Sequence, residues 1–139
     1  MLFGVKYNEV DILTVNRGFF RHYGVFVGNN KVIHFCSDSH GELLNPGNAL
    51  VRRTSLRQFS LGDEIYVDNS PERDRLPSAQ IMRNAESRVG SNFGGFNMIV
   101  NNSKQFARWC ETGKDQASEN NSSDKFSLLK NGILSLLSN

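Results

Sequence analysis

The chain has 139 residues, 38% of them hydrophobic and 22% charged, which places it within the range of one compact globular domain with one core. Sixteen basic and fourteen acidic side chains leave a formal charge of +2, and the positive residues are scattered, which excludes a nucleic-acid surface. Two cysteines, Cys36 and Cys110, form neither a CxxC pair nor the dense framework of a small secreted domain, so the expectation is reduced thiols in the cytoplasm.

In chain order, "DILTV", "HYGVFV", "KVIHF", "ALVRRT" and "EIYV" are short runs rich in Val, Ile, Phe and Tyr, separated by Gly, Asn, Pro and Ser clusters. They predict about five strands of an antiparallel sheet. Between the last two, "SLRQFSLGD" predicts a helical turn capped by Ser55 and stopped at Gly62. After residue 75 the period changes. "PSAQIMRNAESRVG" predicts a helix from Pro77 and Ser78 to Gly90, with Ile81, Ala85 and Val89 on its apolar stripe. "SKQFARWCET" predicts another, with Ser103, Phe106, Ala107 and Cys110 on one face and Gly113 at its stop. The fold expected is α+β, a sheet packed against helices, over residues 1–114. Residues 115–139 read as a polar linker followed by a C-terminal amphipathic helix from about Lys125 to Leu137. The N-terminus lacks the features of a secretory signal, and "FSLLKNGILSLL" falls far short of the roughly 20 apolar residues that cross a bilayer.

The densest signal is "RHYGVFVGNNKVIHF", two strands around a Gly-Asn-Asn turn, with His22 and His34 in it. A two-residue turn would point the two imidazoles to opposite faces. A three-residue turn, Gly28 to Asn30, sets Gly24 across from His34 and makes His22 and His34 diagonal neighbours within roughly 8 Å on one face. The second register is preferred, because glycine at position 24 leaves volume beside both rings and Gly-Asn-Asn readily supplies positive φ. Paired imidazoles suit proton transfer near neutrality, one ring fixing the tautomer of the other. The same register puts Cys36 on that face, but neither His40 nor Cys110 completes a four-ligand set, and no metal or other cofactor is implied.

Asn102 followed by Gln105 fits a capping box, with Ser103 at the first helical position. A cysteine there would be activated by the helix dipole, whereas a serine hydroxyl needs a base to take its proton. Ser103 reads equally as a helix-start residue or as a nucleophile. Cys110, two turns further on, reads as a small core residue.

"DILTVNRGFFRHYGVFVGNNKVIHF" and "FNMIVNNSKQFARWCETGK" together resemble the lecithin:retinol acyltransferase-like proteins, relatives of the H-Ras-like suppressor phospholipase/acyltransferases in the NlpC-type, papain-related superfamily. The resemblance covers roughly residues 9 to 114 and implies a permuted papain-like fold. It also implies acyl transfer from a phospholipid ester through a Cys-His-His set, with His22 as general base, His34 orienting it and Ser103 in the nucleophile's place. Where the family has Cys-Glu-His, this chain has Ser103, Lys104 and Gln105. That departure favours a catalytically impaired domain that binds a lipid or a protein partner. The alternative is an acyltransferase or phospholipase-type hydrolase that uses Ser103 with His22 and His34. In the family a hydrophobic tail anchors the enzyme, so residues 124–139 imply a peripheral membrane contact.

Overall fold

The structure is a computed structural model, and it describes residues 6–18, 20–37, 49–69, 74–93 and 102–114. His40 and the expected linker and helix of residues 115–139 lie outside them. The strands are β1 (Ile12–Asn16), β2 (Arg21–Phe26), β3 (Lys31–Cys36), β4 (Leu50–Ser55) and β5 (Ile65–Val67); the helices are α1 (Leu56–Ser60), α2 (Ser78–Ser87) and α3 (Asn102–Thr112). The strands form one antiparallel sheet in the order β4-β3-β2-β1-β5, so the fold is α+β as expected.

Side chains alternate between two buried faces, as the pleat requires. One face gathers Ile12, Val25, Ile33, Phe35 and Val51 against Ile81 and Ala85 of α2 and Phe106, Ala107 and Cys110 of α3. The other gathers Leu13, Val15, Phe26 and Val32 under Phe59 of α1. Burial on both faces explains why the strands read as continuous apolar runs rather than a strict alternation with polar residues.

The hairpin takes the three-residue turn. Val27 N–H donates to Lys31 O at 3.0 Å, Lys31 N–H donates to Gly28 O at 2.9 Å, and Gly28, Asn29 and Asn30 have φ of 88°, 50° and 59°. The β2–β3 ladder pairs Val25 with Ile33 and Phe26 with Val32. One further step of that register sets Gly24 across from His34.

Ser55 caps α1 with a reciprocal capping box to Gln58, and Leu61 and Gly62 end it in left-handed conformations. For α2, Pro77 stands at the N-cap and Ile81 and Ala85 are buried. Val89 departs from the expected stripe: the helix ends at Ser87, and Val89 is exposed. Asn102 departs too. It lies within α3 rather than ahead of it, and no hydrogen bond joins it to Gln105, so the capping box forms at α1 and not at Asn102.

Candidate functional site

β2 and β3 carry the two histidines on the Phe59 face, where they are 2% and 1% exposed. His22 Nε2 lies 2.8 Å from His34 Nδ1, and the rings meet edge-on with centroids 5.0 Å apart. Phe59 covers both, 5.4 Å from the ring of His22 and 5.0 Å from that of His34. Gly24 is where this packing closes. A Cβ there would stand 2.5 Å from Val32 Cγ1, 2.9 Å from Phe59 Cε1 and 3.1 Å from His34 Cβ, so the volume expected to be empty beside the rings is filled by these neighbours.

The donors fix the tautomers. Thr54 Oγ1–H donates to Ser55 O at 3.1 Å, which leaves Thr54 Oγ1 to accept from His34 Nε2–H at 2.8 Å. His34 Nδ1 is then an acceptor, and His22 Nε2–H donates to it. The lone pair of the chain falls on His22 Nδ1. Burial, then the neighbouring imidazole and the Arg17 guanidinium, hold His22 well below the ordinary histidine range. Burial, then Arg17 and Arg52, bring His34 down to about 3. Both rings are therefore neutral at pH 7. Arg17 also fastens Phe59 over them, donating from Nη2 to Phe59 O at 2.6 Å and from Nη1 to Ser60 O and to Asp63.

Ser103 approaches the same strand from the other side of the sheet. Its Oγ accepts Tyr23 N–H at 3.1 Å, one residue along from His22, and among the described residues no hydrogen bond joins it to either imidazole. The structure thus brings His22 and His34 together side chain to side chain, and brings Ser103 to the β2 backbone beside them. Beside Ser103, Asn102 Nδ2 is buried and has no hydrogen-bond partner among the described residues. Cys36 shares the histidine face, its Sγ 3.8 Å from His34 Nε2, yet among the described residues no group of three His, Cys, Asp or Glu side chains is placed to hold a metal ion. Cys110 is fully buried, and burial pushes its thiol far up, as a core residue's would be.

Sequence reasoning missed Thr54 and Phe59. Phe59 is an apolar residue on a predicted helical turn, and Thr54 an ordinary strand residue. Neither carries a local mark of its contact with an imidazole. It also missed Arg108 and Glu111, polar residues of α3 that lie buried. Arg108 donates to Asp68 Oδ2 at 2.5 Å and to Glu111 Oε1 at 3.4 Å, and Arg75 donates to the other Glu111 oxygen and to Val10 O.

A five-stranded antiparallel sheet thus buries a hydrogen-bonded histidine pair and receives the start of α3 on the adjoining β2 backbone. Comparison with known proteins bears on the same point. The family model described as lecithin retinol acyltransferase matches residues 5–116. Lecithin retinol acyltransferase of Rattus norvegicus is 28% identical over 126 residues, covering 74% of this chain and 53% of that one. The protein of the same name from Homo sapiens is 25% identical over 143 residues, covering 87% and 60%. The chain belongs to the lecithin retinol acyltransferase family, and it spans about half the length of the curated relatives it matches.

Proposed function

We propose that the domain is catalytically impaired and works by binding, with a lipid ester as its ligand. One observation carries this reading: the Ser103 hydroxyl is held by Tyr23 N–H, while the imidazoles are held by each other and by Thr54. A serine nucleophile needs a base in contact with its proton, and losing a tuned nucleophile costs on the order of 10⁶ in turnover. The neutral imidazoles also lack the positive charge that stabilises a thiolate in Cys-His sites. The relatives' name, lecithin retinol acyltransferase, supports a lipid as the ligand. Residues 124–139 are the candidate peripheral membrane contact. Among the described residues no helix is long and apolar enough to cross a membrane.

A second reading rests on the lone pair of His22 Nδ1 and on Asn102 Nδ2, neither of which has a hydrogen-bond partner among the described residues. In it, Ser103 Oγ leaves Tyr23 N–H and moves to the His22 side of β2, where it attacks an acyl carbonyl while His22 Nδ1 takes its proton and Asn102 donates to the developing oxyanion.

A fluorophosphonate probe separates the two. The binding reading expects no labelling of Ser103 above that of Ser103→Ala, together with flotation of the chain on lipid vesicles. Labelling of Ser103 that disappears in folded His22→Gln would replace it with the second reading. Flotation of neither the whole chain nor a version lacking residues 124–139 would redirect the binding reading to a protein partner.

A further inference from the structure

A groove of about 470 Å³ opens between β1, β2 and β5 and the first turns of α3, with Arg21, Tyr23, Tyr66, Asp68, Lys104 and Arg108 among its walls. Its charges are not all spent within the protein. Arg108 is engaged by Asp68 and Glu111. Arg21 and Lys104 are exposed, and among the described residues neither meets a carboxylate. Arg21 Nε donates to Thr14 Oγ1 at 3.2 Å and its guanidinium lies 5.5 Å from the Tyr66 ring centroid. Lys104 Nζ lies 5.9 Å from the ring of Tyr23, which Arg108 also faces at 5.3 Å. Glu64 Oε1 accepts the Tyr66 hydroxyl at 3.1 Å.

Two cations that line one groove, one with a planar fork and one a point charge, match an anion of two charges with several oxygens. A cation resting over an aromatic ring at an exposed site gives up little when it turns to such an anion. The same contacts argue against a quaternary ammonium group, since the ring faces that would receive one are already taken by Lys104, Arg108 and Arg21. We infer that this groove binds a phosphate-class dianion, a phosphomonoester free in solution or borne by an acidic lipid headgroup, through Arg21 and Lys104. The inference goes beyond the lipid reading and rests on it only for the headgroup as a source.

Glycerol 3-phosphate, titrated into the ¹⁵N-labelled chain, should shift the amides of Tyr23, Tyr66 and Lys104 saturably. Arg21→Glu and Lys104→Glu should each weaken that binding about tenfold or more, because a charge-assisted contact becomes a repulsion. Arg57→Glu, the same charge change at an exposed site on α1, should weaken it less than about twofold through screened long-range charge. Circular dichroism checks that each variant is folded. In parallel, flotation compares phosphatidylcholine vesicles with vesicles that also contain phosphatidic acid. Preference for phosphatidic acid that is lost in Lys104→Glu assigns the anion to a headgroup. Binding of glycerol phosphate without any vesicle binding supports the groove while removing the lipid reading. Vesicle binding indifferent to phosphatidic acid and to both reversals, with no glycerol phosphate binding, overturns the groove and leaves the lipid reading standing.

Discussion

On one face of the sheet His22 and His34 are buried without charge; on the other Arg108 and Glu111 are buried with it. The histidines manage because each ring gives or receives a hydrogen bond from a neutral neighbour, so burial lowers their proton affinity instead of exacting a full desolvation cost. Arg108 and Glu111 are buried as an ion pair, and a network with Asp68 and Arg75 compensates them. The imidazole pair is thus buried through neutral hydrogen bonds, and the Arg108–Glu111 pair through its ionic partners.

The sharpest break of that contrast is Glu111→Ala. Removing a fully buried carboxylate leaves the Arg108 charge undercompensated, a loss of roughly 3–5 kcal/mol, which urea unfolding measures. A loss below 1 kcal/mol, the range of an exposed pair, would mean that this network behaves as a surface one. Acidification comes next. Both imidazoles have folded-state affinities below their unfolded value of about 6.5, so below that pH the unfolded chain binds more protons. Their stabilising effect is complete above pH 6.5 and is lost as pH falls toward 3, the value for His34. Urea midpoints should therefore drop between pH 7.5 and pH 4.5, and drop less in His22→Gln/His34→Gln; equal slopes in the two proteins would show that the pair stays out of the linkage.

Gly24→Ala tests the packing around the rings. The added methyl meets Val32, Phe59 and His34, and the expected cost is roughly 1–3 kcal/mol, with the imidazole NMR signals displaced. An unshifted histidine spectrum would mean that the strands give way without disturbing the pair. Ser55→Ala is the smallest change, about 1 kcal/mol for a lost N-cap, and it should leave the histidine signals in place because the cap lies at the start of α1 while Phe59 is fastened through Arg17.

Several parts of this arrangement were legible before any coordinates. The run Gly28-Asn29-Asn30 favours positive φ, the turn length sets the register, and the register puts His22 and His34 on one face. Ser55 and Gln58 have the spacing of a cap and form one. Asn102 and Gln105 have the same spacing and do not, because the spacing alone does not say where the first helical residue falls. Val89 fits the period of a helix that stops short of it. Thr54 was hidden because its contact with His34 depends on the β3–β4 register, His34 opposite Arg52, which is set across a connection much longer than the hairpin turn.

By itself the sequence determined the local geometry: strand periods, the three-residue bend, and through them the meeting of two imidazoles. Those follow from neighbours along the chain, whose steric limits need no distant contact. The tertiary structure decided which face of the sheet each helix covers. A strand buried on both faces gives no sequence sign of which side receives α1 and which α3. Long-range packing alone therefore placed Phe59 over the rings and brought Ser103 to Tyr23 N–H from the opposite side.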